Sequence, residues 1–237
     1  MRSEWRARRF WTRAEVVPAE GGATVHLDGR PIRTPLKAPV VMPSRSLAEG
    51  VAEEWAAQTE VIDPLSMPLM RAVNATLDKV VPQQAEVVAN LAEYGGSDLL
   101  CYRATGPDAL LERQAEGWDP MLRWARESLG ARLVTTRGVI PVPQAEASLD
   151  ALHARVAALS AWELTALSEF VTLTGSLVLG LAMMEGWEAE TVWPLGRIDE
   201  AWQAEVWGAD EEEAVRVAAR QEAFQQAHRY LTLLRAG

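Results

Sequence analysis

The feature that most constrains the fold is the stretch from Gln144 to the end, where apolar residues recur with helical periodicity. We predict five helices there, over residues 144–159, 161–174, 176–185, 189–207 and 211–234. Two of them begin with the spacing of a capping box, in which each side chain accepts a hydrogen bond from the other residue's backbone N–H. These pairs are Ser160 with Glu163, and Asp210 with Glu213.

The first quarter of the chain instead carries the signals of short β-strands. Extended runs at 14–17, 23–27 and 31–34 are separated by turn residues, and residues 40–42 are a candidate edge strand. The pair Asp28-Gly29 favours a hairpin, because glycine readily adopts the positive φ of a tight turn. An earlier turn is marked by Gly21-Gly22.

The residues between these two parts are predicted to be mainly helical. Helices are expected from about Ser44, which with Ser46 is a candidate cap, and over 69–80, 82–94 and 110–129. The pair Asp119-Pro120 is a candidate break in the last of these. Residues 98–103 fit either a strand or a buried helix end, and strand-like runs follow at 131–135 and 138–142.

Together these patterns predict the α+β class, with a β-containing domain followed by a mainly helical domain. We place the N-terminal mixed β domain at residues 1–80 and the C-terminal helical domain at residues 81–237. The boundary falls between residues 80 and 143.

Electrostatic charge argues against nucleic acid as a partner. The 33 aspartates and glutamates outnumber the 23 lysines and arginines, so the formal net charge is -10. Such an acidic excess repels a phosphate backbone. Positive charge is concentrated near the start, beside Trp5 and Trp11, in Arg2, Arg6, Arg8, Arg9 and Arg13. We interpret this cluster as a solvated tail, with a local basic contact as the alternative.

Cysteine and hydropathy patterns bear on the cellular compartment. The single cysteine, Cys101, excludes an internal disulfide and fits a reducing compartment, and its neighbours Leu100 and Tyr102 favour a buried thiol. The start of the chain lacks the apolar run of a signal peptide. The most apolar segment, 173–184, is shorter than the roughly 20 residues that span a bilayer, so we expect no membrane insertion.

Few residues have the spacing that catalysis or cofactor binding requires. The histidines His26, His153 and His228 have no second His or Cys at the spacing of a zinc site. Residues 174–176, Thr-Gly-Ser, lack both the following lysine of a phosphate loop and the elbow motif of a serine hydrolase. We therefore predict no catalytic residue, no metal ion and no cofactor.

A carboxylate-rich region around two tryptophans is the remaining candidate site. On a helix, Asp199, Trp202 and Glu205 share a face at steps of three residues, and more carboxylates follow Trp207. This mixture suits an interface with arginine on the partner. It also fits a core tryptophan flanked by a solvated face, and the residues themselves do not decide between the two readings.

Many short motifs occur along the chain in a defined order. They are Arg9-Phe10-Trp11, Leu27-Asp28-Gly29-Arg30-Pro31, Thr34-Pro35, Lys37, Glu53-Glu54-Trp55, Gln58, Ile62-Asp63-Pro64, Met67-Pro68-Leu69, residues 98–104, Arg113-Gln114, Trp118-Asp119-Pro120, Thr174-Gly175-Ser176, Asp199-Glu200, Trp202-Gln203, Glu205 and Trp207-Gly208. In this order they closely resemble the ATP-twelve family of assembly chaperones, and the resemblance covers residues 9 to about 234.

The resemblance implies a non-enzymatic chaperone that binds the unassembled α subunit of the ATP synthase catalytic sector and promotes assembly of the αβ hexamer. An α subunit awaiting β exposes a large interface, and a chaperone that covers it prevents aggregation. Release then requires only that β compete for overlapping surface. Since no removable presequence is recognisable, we expect a bacterial cytoplasm and not a mitochondrial matrix, and a monomer when free.

The resemblance also places a functional carboxylate after Trp207-Gly208, at either Asp210 or Glu211, because the spacing in this loop varies. We therefore predict a partner-binding surface made of Glu205, Trp207, Asp210 and Glu211.

Two alternative functions remain open at the level of sequence. A small-molecule enzyme with an acidic site on the helix pair 189–234 predicts a deep pocket lined by Asp199 and Glu205. A general holdase predicts a wide apolar groove with little charge specificity.

Overall fold

The computed structural model describes residues 8–208 and 210–236. The chain divides into two compact units, Met1–Gln83 with Arg229–Gly237, and Gln84–His228. The end of the chain thus belongs to the same compact unit as its beginning, and helical periodicity in the sequence does not predict this. The domain limits 1–80 and 81–237 stay a prediction, since compact packing alone is not independent folding. The basic residues Arg2 and Arg6, with Trp5, lie outside the described residues.

The first unit contains a three-stranded antiparallel sheet. Its strands are β1 Ala14–Ala19, β2 Gly22–Leu27 and β3 Arg30–Pro31, in that spatial order. The predicted turn at Asp28-Gly29 is confirmed, with φ of 47° and 82°. The Asp28 carboxylate accepts hydrogen bonds from the backbone N–H groups of Arg13 and Thr12, which lower its pKa.

The predicted third strand is shorter than expected, and residues 40–42 contribute only a bridge, in which Met42 and Ala23 exchange backbone hydrogen bonds. Gly22 permits this approach, because a Cβ there would lie 2.0 Å from the Met42 carbonyl oxygen.

Helices complete the core of the first unit. They are α1 Arg45–Ala56, capped by Ser44, and α2 Pro68–Ala75, which continues into a π-helical turn, Thr76–Val80. Leu47, Val51, Leu69 and Val73 are fully buried between them. The chain terminus joins this core, since the Ser44 hydroxyl donates to the Leu233 carbonyl at 2.6 Å.

The second unit is almost entirely helical. Its helices are α3 Gln84–Glu93, α4 Asp108–Trp124, α5 Glu146–Ala157, α6 Ala161–Thr174, α7 Leu177–Met184, α8 Ala189–Leu195, α9 Ile198–Trp207 and the first part of α10 Glu211–Arg235. The bounds predicted for α6 and its capping box are confirmed. Every residue of α7 is buried, so this helix forms the centre of the unit. The predicted α+β class is confirmed.

Several local predictions in this unit are wrong. Helix α4 continues through Pro120, although a proline inside a helix costs about 3 kcal/mol, because its neighbours Trp118 and Met121 are anchored in the core. Residues 189–207 form two helices, since Pro194 and Gly196 end α8.

Strands at 131–135 and 138–142 are likewise absent from the described residues. Only β5, Thr136–Arg137, forms, and it pairs in parallel with β4, Tyr102–Arg103. For residues 98–103 the sequence left open a strand or a buried helix end. The structure has a short 3-10 helix, Leu99–Cys101, followed directly by strand β4.

Hydropathy of the helices bears on membrane insertion. Within residues 8–208 and 210–236, no helix combines the length and apolar character needed to cross a bilayer. The cytoplasmic location stays a prediction.

Candidate protein-binding surface

The four residues predicted to bind a partner lie at the end of α9 and the start of α10. We refer to Glu205, Trp207, Asp210 and Glu211 as the acidic surface. All four are exposed, and 77% of Trp207 is accessible to solvent. The structure therefore presents an aromatic ring and three carboxylates within seven positions of the sequence.

Close packing against α4 fixes the start of α9. The Trp118 indole N–H donates to the Leu195 carbonyl at 2.7 Å. Gly117 allows the approach, because a Cβ at this position would lie 2.6 Å from the Ile198 side chain. Gly196 is likewise close to Thr174, because a Cβ at position 196 would lie 3.0 Å from the Thr174 Cβ. These contacts hold the base of α9 against α4 and α6.

One face of α9 is directed at α4. The Gln114 amide donates to Asp199 at 2.6 Å, and the Arg113 guanidinium donates to Glu205 at 2.8 Å while lying 5.0 Å from the centre of the Trp202 ring. Asp199, Trp202 and Glu205 thus share a face, as predicted from their spacing. Trp202 is half-buried beneath Arg113.

Electrostatics keep Glu205 ionised. The hydrogen bond from Arg113, helped by its positive charge, lowers the pKa of Glu205, and the same hydrogen bond raises the pKa of Arg113. A catalytic acid needs the opposite shift, because it must hold its proton near neutral pH. Asp199 and Glu205 are therefore both hydrogen-bonded in the contact between α9 and α4.

Apolar side chains extend the acidic surface on both sides of the turn. Val206 and Val215 are more than half exposed, and together with Trp207 they flank the connection between α9 and α10. Gly208, at φ 87°, ends α9 in a conformation that other residues rarely adopt. Exposed apolar side chains therefore lie in the last turn of α9 and near the start of α10.

The carboxylates after the turn have different partners. Asp210 accepts a hydrogen bond from the Glu212 backbone N–H at 3.1 Å, and Glu213 pairs with Arg216 at 3.0 Å. The capping box predicted for Asp210 and Glu213 is therefore wrong, because Asp210 accepts from Glu212 instead of Glu213 and the Glu213 carboxylate pairs with Arg216. Among residues 8–208 and 210–236, Glu211 has no ion-pair partner within 4.0 Å, which leaves its charge available to another molecule.

A second set of contacts attaches α10 to the base of α9. Arg220 donates to the Leu173 carbonyl at 2.7 Å and to Glu200 at 3.4 Å. Glu200 also pairs with Arg197. These contacts thus hold the start of α9 and the first half of α10.

Metal binding has no support in this region or elsewhere in the described chain. Within residues 8–208 and 210–236, no three His, Cys, Asp or Glu side chains are grouped closely enough to hold an ion. A small cavity of about 120 Å³ is lined by Ala189, Glu190, Trp193, Pro194, Gln221, Phe224 and Gln225, none of which belongs to the acidic surface.

Comparison with known proteins identifies the family. Residues 8–126 match the family model described as "ATP12 chaperone protein". The chain belongs to the ATP12 chaperone family. This is the family whose motifs the sequence resembles.

Two solved structures and one curated relative match most of the chain. Atp12 from Paracoccus denitrificans is 51% identical, with a TM-score of 0.94 over 98% of this chain and 100% of that one. The Atu1473 protein of Agrobacterium tumefaciens is 41% identical, with a TM-score of 0.92 over 96% of this chain and 86% of that one. The mitochondrial protein atp12 of Schizosaccharomyces pombe is 22% identical over 86% of this chain and 75% of its own length.

Two carboxylates in the ATP12 motifs have structural roles that the sequence reasoning missed. Asp98 is fully buried and accepts hydrogen bonds from the Ser176 hydroxyl at 2.7 Å and from the backbone N–H groups of Val178 and Leu100 at 3.0 Å. It therefore joins the start of α7 to the Leu99–Cys101 turn. Burial raises the pKa of Asp98 despite these bonds.

Glu54 has the equivalent role in the first unit. Its two carboxylate oxygens accept from Leu69 N at 2.7 Å and Met70 N at 2.8 Å, which caps α2 from a different helix. Burial raises the pKa of Glu54. The available signal was the apolar run 99–101 after Asp98, and for Glu54 its helical spacing from Leu47 and Val51, since a buried charge needs several donors to be tolerated.

Proposed function

We propose that this chain binds the unassembled α subunit of the ATP synthase catalytic sector through the acidic surface and promotes assembly of the αβ hexamer. The observation that supports it most strongly is Trp207, which is 77% exposed and precedes by four positions Glu211, a carboxylate with no ion-pair partner among the described residues. Family membership supports the chaperone role. The proposal adds that the α subunit is the client.

Physical chemistry favours a protein as the ligand of this surface. An exposed tryptophan leaves a large apolar area in water, and tryptophan is among the residues that contribute most to protein interfaces when covered. Carboxylates around such a ring attract arginine or lysine on the partner and accelerate the encounter. We therefore expect the α subunit to contribute a basic residue next to an apolar pocket.

The four residues contribute unequally in this proposal. Glu205 already neutralises Arg113, and Asp210 already caps α10, so each would lose an internal contact by pairing with a client. Glu211 has no such contact to lose among the described residues. Glu211 and Trp207 are therefore expected to supply most of the binding free energy.

Release follows from competition and requires no chemical step. If the chaperone covers part of the surface that β occupies in the hexamer, β displaces it by mass action. The chain then works without catalysis, cofactor or metal, and as a monomer when free.

The test is coexpression of the chain with the α subunit of its own ATP synthase. Soluble α and copurified α are measured for the wild type, Glu211→Lys and Asp108→Lys. Asp108 is a matched control, because it is also an exposed acid at the first residue of a helix, so lysine there perturbs the helix dipole similarly. We expect Glu211→Lys to lose copurified α and Asp108→Lys to retain it.

Other outcomes separate the alternatives. If the wild type never retains α, the proposed client is wrong. If the wild type retains α and unrelated unfolded proteins equally, and the charge reversal has no effect, the chain is a general holdase.

A further inference from the structure

A second exposed surface lies in the loop between α4 and α5. Its residues, 130–145, include Val139 at 91% exposure, the highest among the large apolar side chains of the described residues, and Ile140 at 75%. Neither belongs to the acidic surface. Adjacent exposed apolar side chains at a loop tip are a feature of interaction sites.

Internal contacts hold this loop in one shape. The Gln144 side-chain amide forms two hydrogen bonds with the backbone of Val134, accepting from its N–H at 2.7 Å and donating to its carbonyl at 2.9 Å. Pro141 and Pro143 further restrict the backbone that follows Val139 and Ile140, because the proline ring fixes φ. A loop fixed before binding loses less conformational entropy when a partner arrives.

Strand β5 presents a free edge next to the tip. Strands β4 and β5 form a sheet of two strands, so within the described part of the chain each has one edge without a neighbouring strand. The Gly138 N–H donates to the Arg103 carbonyl at 2.8 Å, which directs the backbone of Gly138 towards β4. Since backbone groups alternate between the two edges of a strand, the N–H and C=O of Arg137 point to the open edge.

Positive charge lines the same segment. Residues 131–145 contain no Asp or Glu, although the protein as a whole has a net charge of -10. Arg132 and Arg137 have no ion-pair partner among the described residues, whereas nearby Arg103 pairs with Asp119 at 2.7 Å. The loop is therefore complementary to an acidic segment.

We propose that the open edge of β5 binds an extended, acidic and apolar segment of a partner protein by strand addition. The partner's backbone pairs with that of Arg137, its carboxylate pairs with the Arg137 guanidinium, and its apolar side chains cover Val139 and Ile140. A two-residue parallel pair is too short to be stable alone, so a third strand also stabilises β4 and β5. This contact is independent of which client occupies the acidic surface.

The test uses defined peptides and the full-length chain. A fluorescent, end-capped peptide, Thr-Glu-Val-Glu-Val-Val-Thr, is compared with its Lys-for-Glu counterpart and with a version N-methylated along the backbone. Binding is followed by fluorescence anisotropy, and the site is located by NMR amide shifts. Because the protein is acidic overall, nonspecific charge attraction favours the lysine peptide, which makes preference for the glutamate peptide a stringent criterion.

We expect the wild type to prefer the glutamate peptide by at least about tenfold, with shifts at Arg137 and Val139 and no binding of the N-methylated peptide. Arg137→Glu should reverse the charge preference, and Val139→Ser should weaken binding of both peptides. Leu65→Ser, at another highly exposed apolar residue, is the matched control and should have no effect.

The proposal is overturned if the wild type fails to bind the glutamate peptide or binds the two charged peptides equally. It is also overturned if backbone N-methylation leaves the affinity unchanged, since strand addition requires those N–H groups. The variants replace exposed side chains, and a circular dichroism spectrum identical to that of the wild type verifies their fold.

Discussion

Asp98 and Glu211 are carboxylates in the same compact unit, but their surroundings are opposite. Asp98 is fully buried and bonded to one hydroxyl and to backbone N–H groups of two segments. Glu211 begins a helix at the surface and has no ion-pair partner among the described residues. The difference separates two roles: Asp98 stabilises the fold, and in the proposed function Glu211 binds a partner.

The largest effect is expected from removing the buried carboxylate. Asp98→Ala leaves the Ser176 hydroxyl and the Val178 and Leu100 N–H groups without an acceptor, so we expect a loss of roughly 3–5 kcal/mol in the free energy of unfolding. Urea denaturation measures it, with the exposed Asp150→Ala as control. A loss below about 1 kcal/mol would remove the distinction between the two kinds of carboxylate.

The pH dependence of Glu54 sharpens the same comparison. Burial raises the pKa of Glu54 in the folded state above its ordinary value of 4.5, so the folded state binds the proton more tightly. The stabilisation from this proton is complete below the unfolded pKa and is lost as the pH rises through the folded pKa. The free energy of unfolding of the wild type, relative to Glu54→Gln, should therefore increase on acidification in this window. An opposite slope would contradict the assigned pKa direction.

A tryptophan pair tests the exposed side of the comparison without any partner. Trp207 is exposed and Trp118 is fully buried. Trp207→Ser should remove a fluorescence component that acrylamide quenches readily, while changing the free energy of unfolding by less than about 0.5 kcal/mol. If quenching is unchanged, Trp207 is covered in solution and the acidic surface is not available to a client.

The smallest effect concerns the single thiol. Burial, with a contribution from Asp98, raises the pKa of Cys101 to about 12, so the thiolate is scarce at neutral pH. Thiol reagents should leave the native protein unmodified for hours and react at once in denaturant. Rapid modification of the native chain would indicate that the region around Asp98 opens locally.

Much of the fold was predictable because its signals are local. The hairpin at Asp28-Gly29, the capping box at Ser160 and the helix start at Ser176 each depend on residues close in sequence. These positions report directly on backbone conformation. The helical character of the chain from residue 144 onward was likewise predicted from the local periodicity of apolar residues.

The remaining features depend on contacts distant in sequence. Asp98 caps α7 from 78 positions away, and Tyr230 places the end of α10 beside Thr76 in the first unit. Helix α4 runs through Pro120 because core packing outweighs a local cost. Of the candidate site, the shared face of Asp199, Trp202 and Glu205 was predictable, but its direction towards Arg113 was not.

The central claim is that the exposed acidic surface, and not the buried motif carboxylates, binds the α subunit. The most direct test is the affinity of purified α for the wild type, Glu211→Lys and Glu54→Gln, measured at a temperature where all three are folded. The proposal predicts that Glu211→Lys weakens binding by at least about tenfold and that Glu54→Gln leaves it unchanged. Equal affinity of the wild type and Glu211→Lys, with a loss confined to Glu54→Gln, would contradict it.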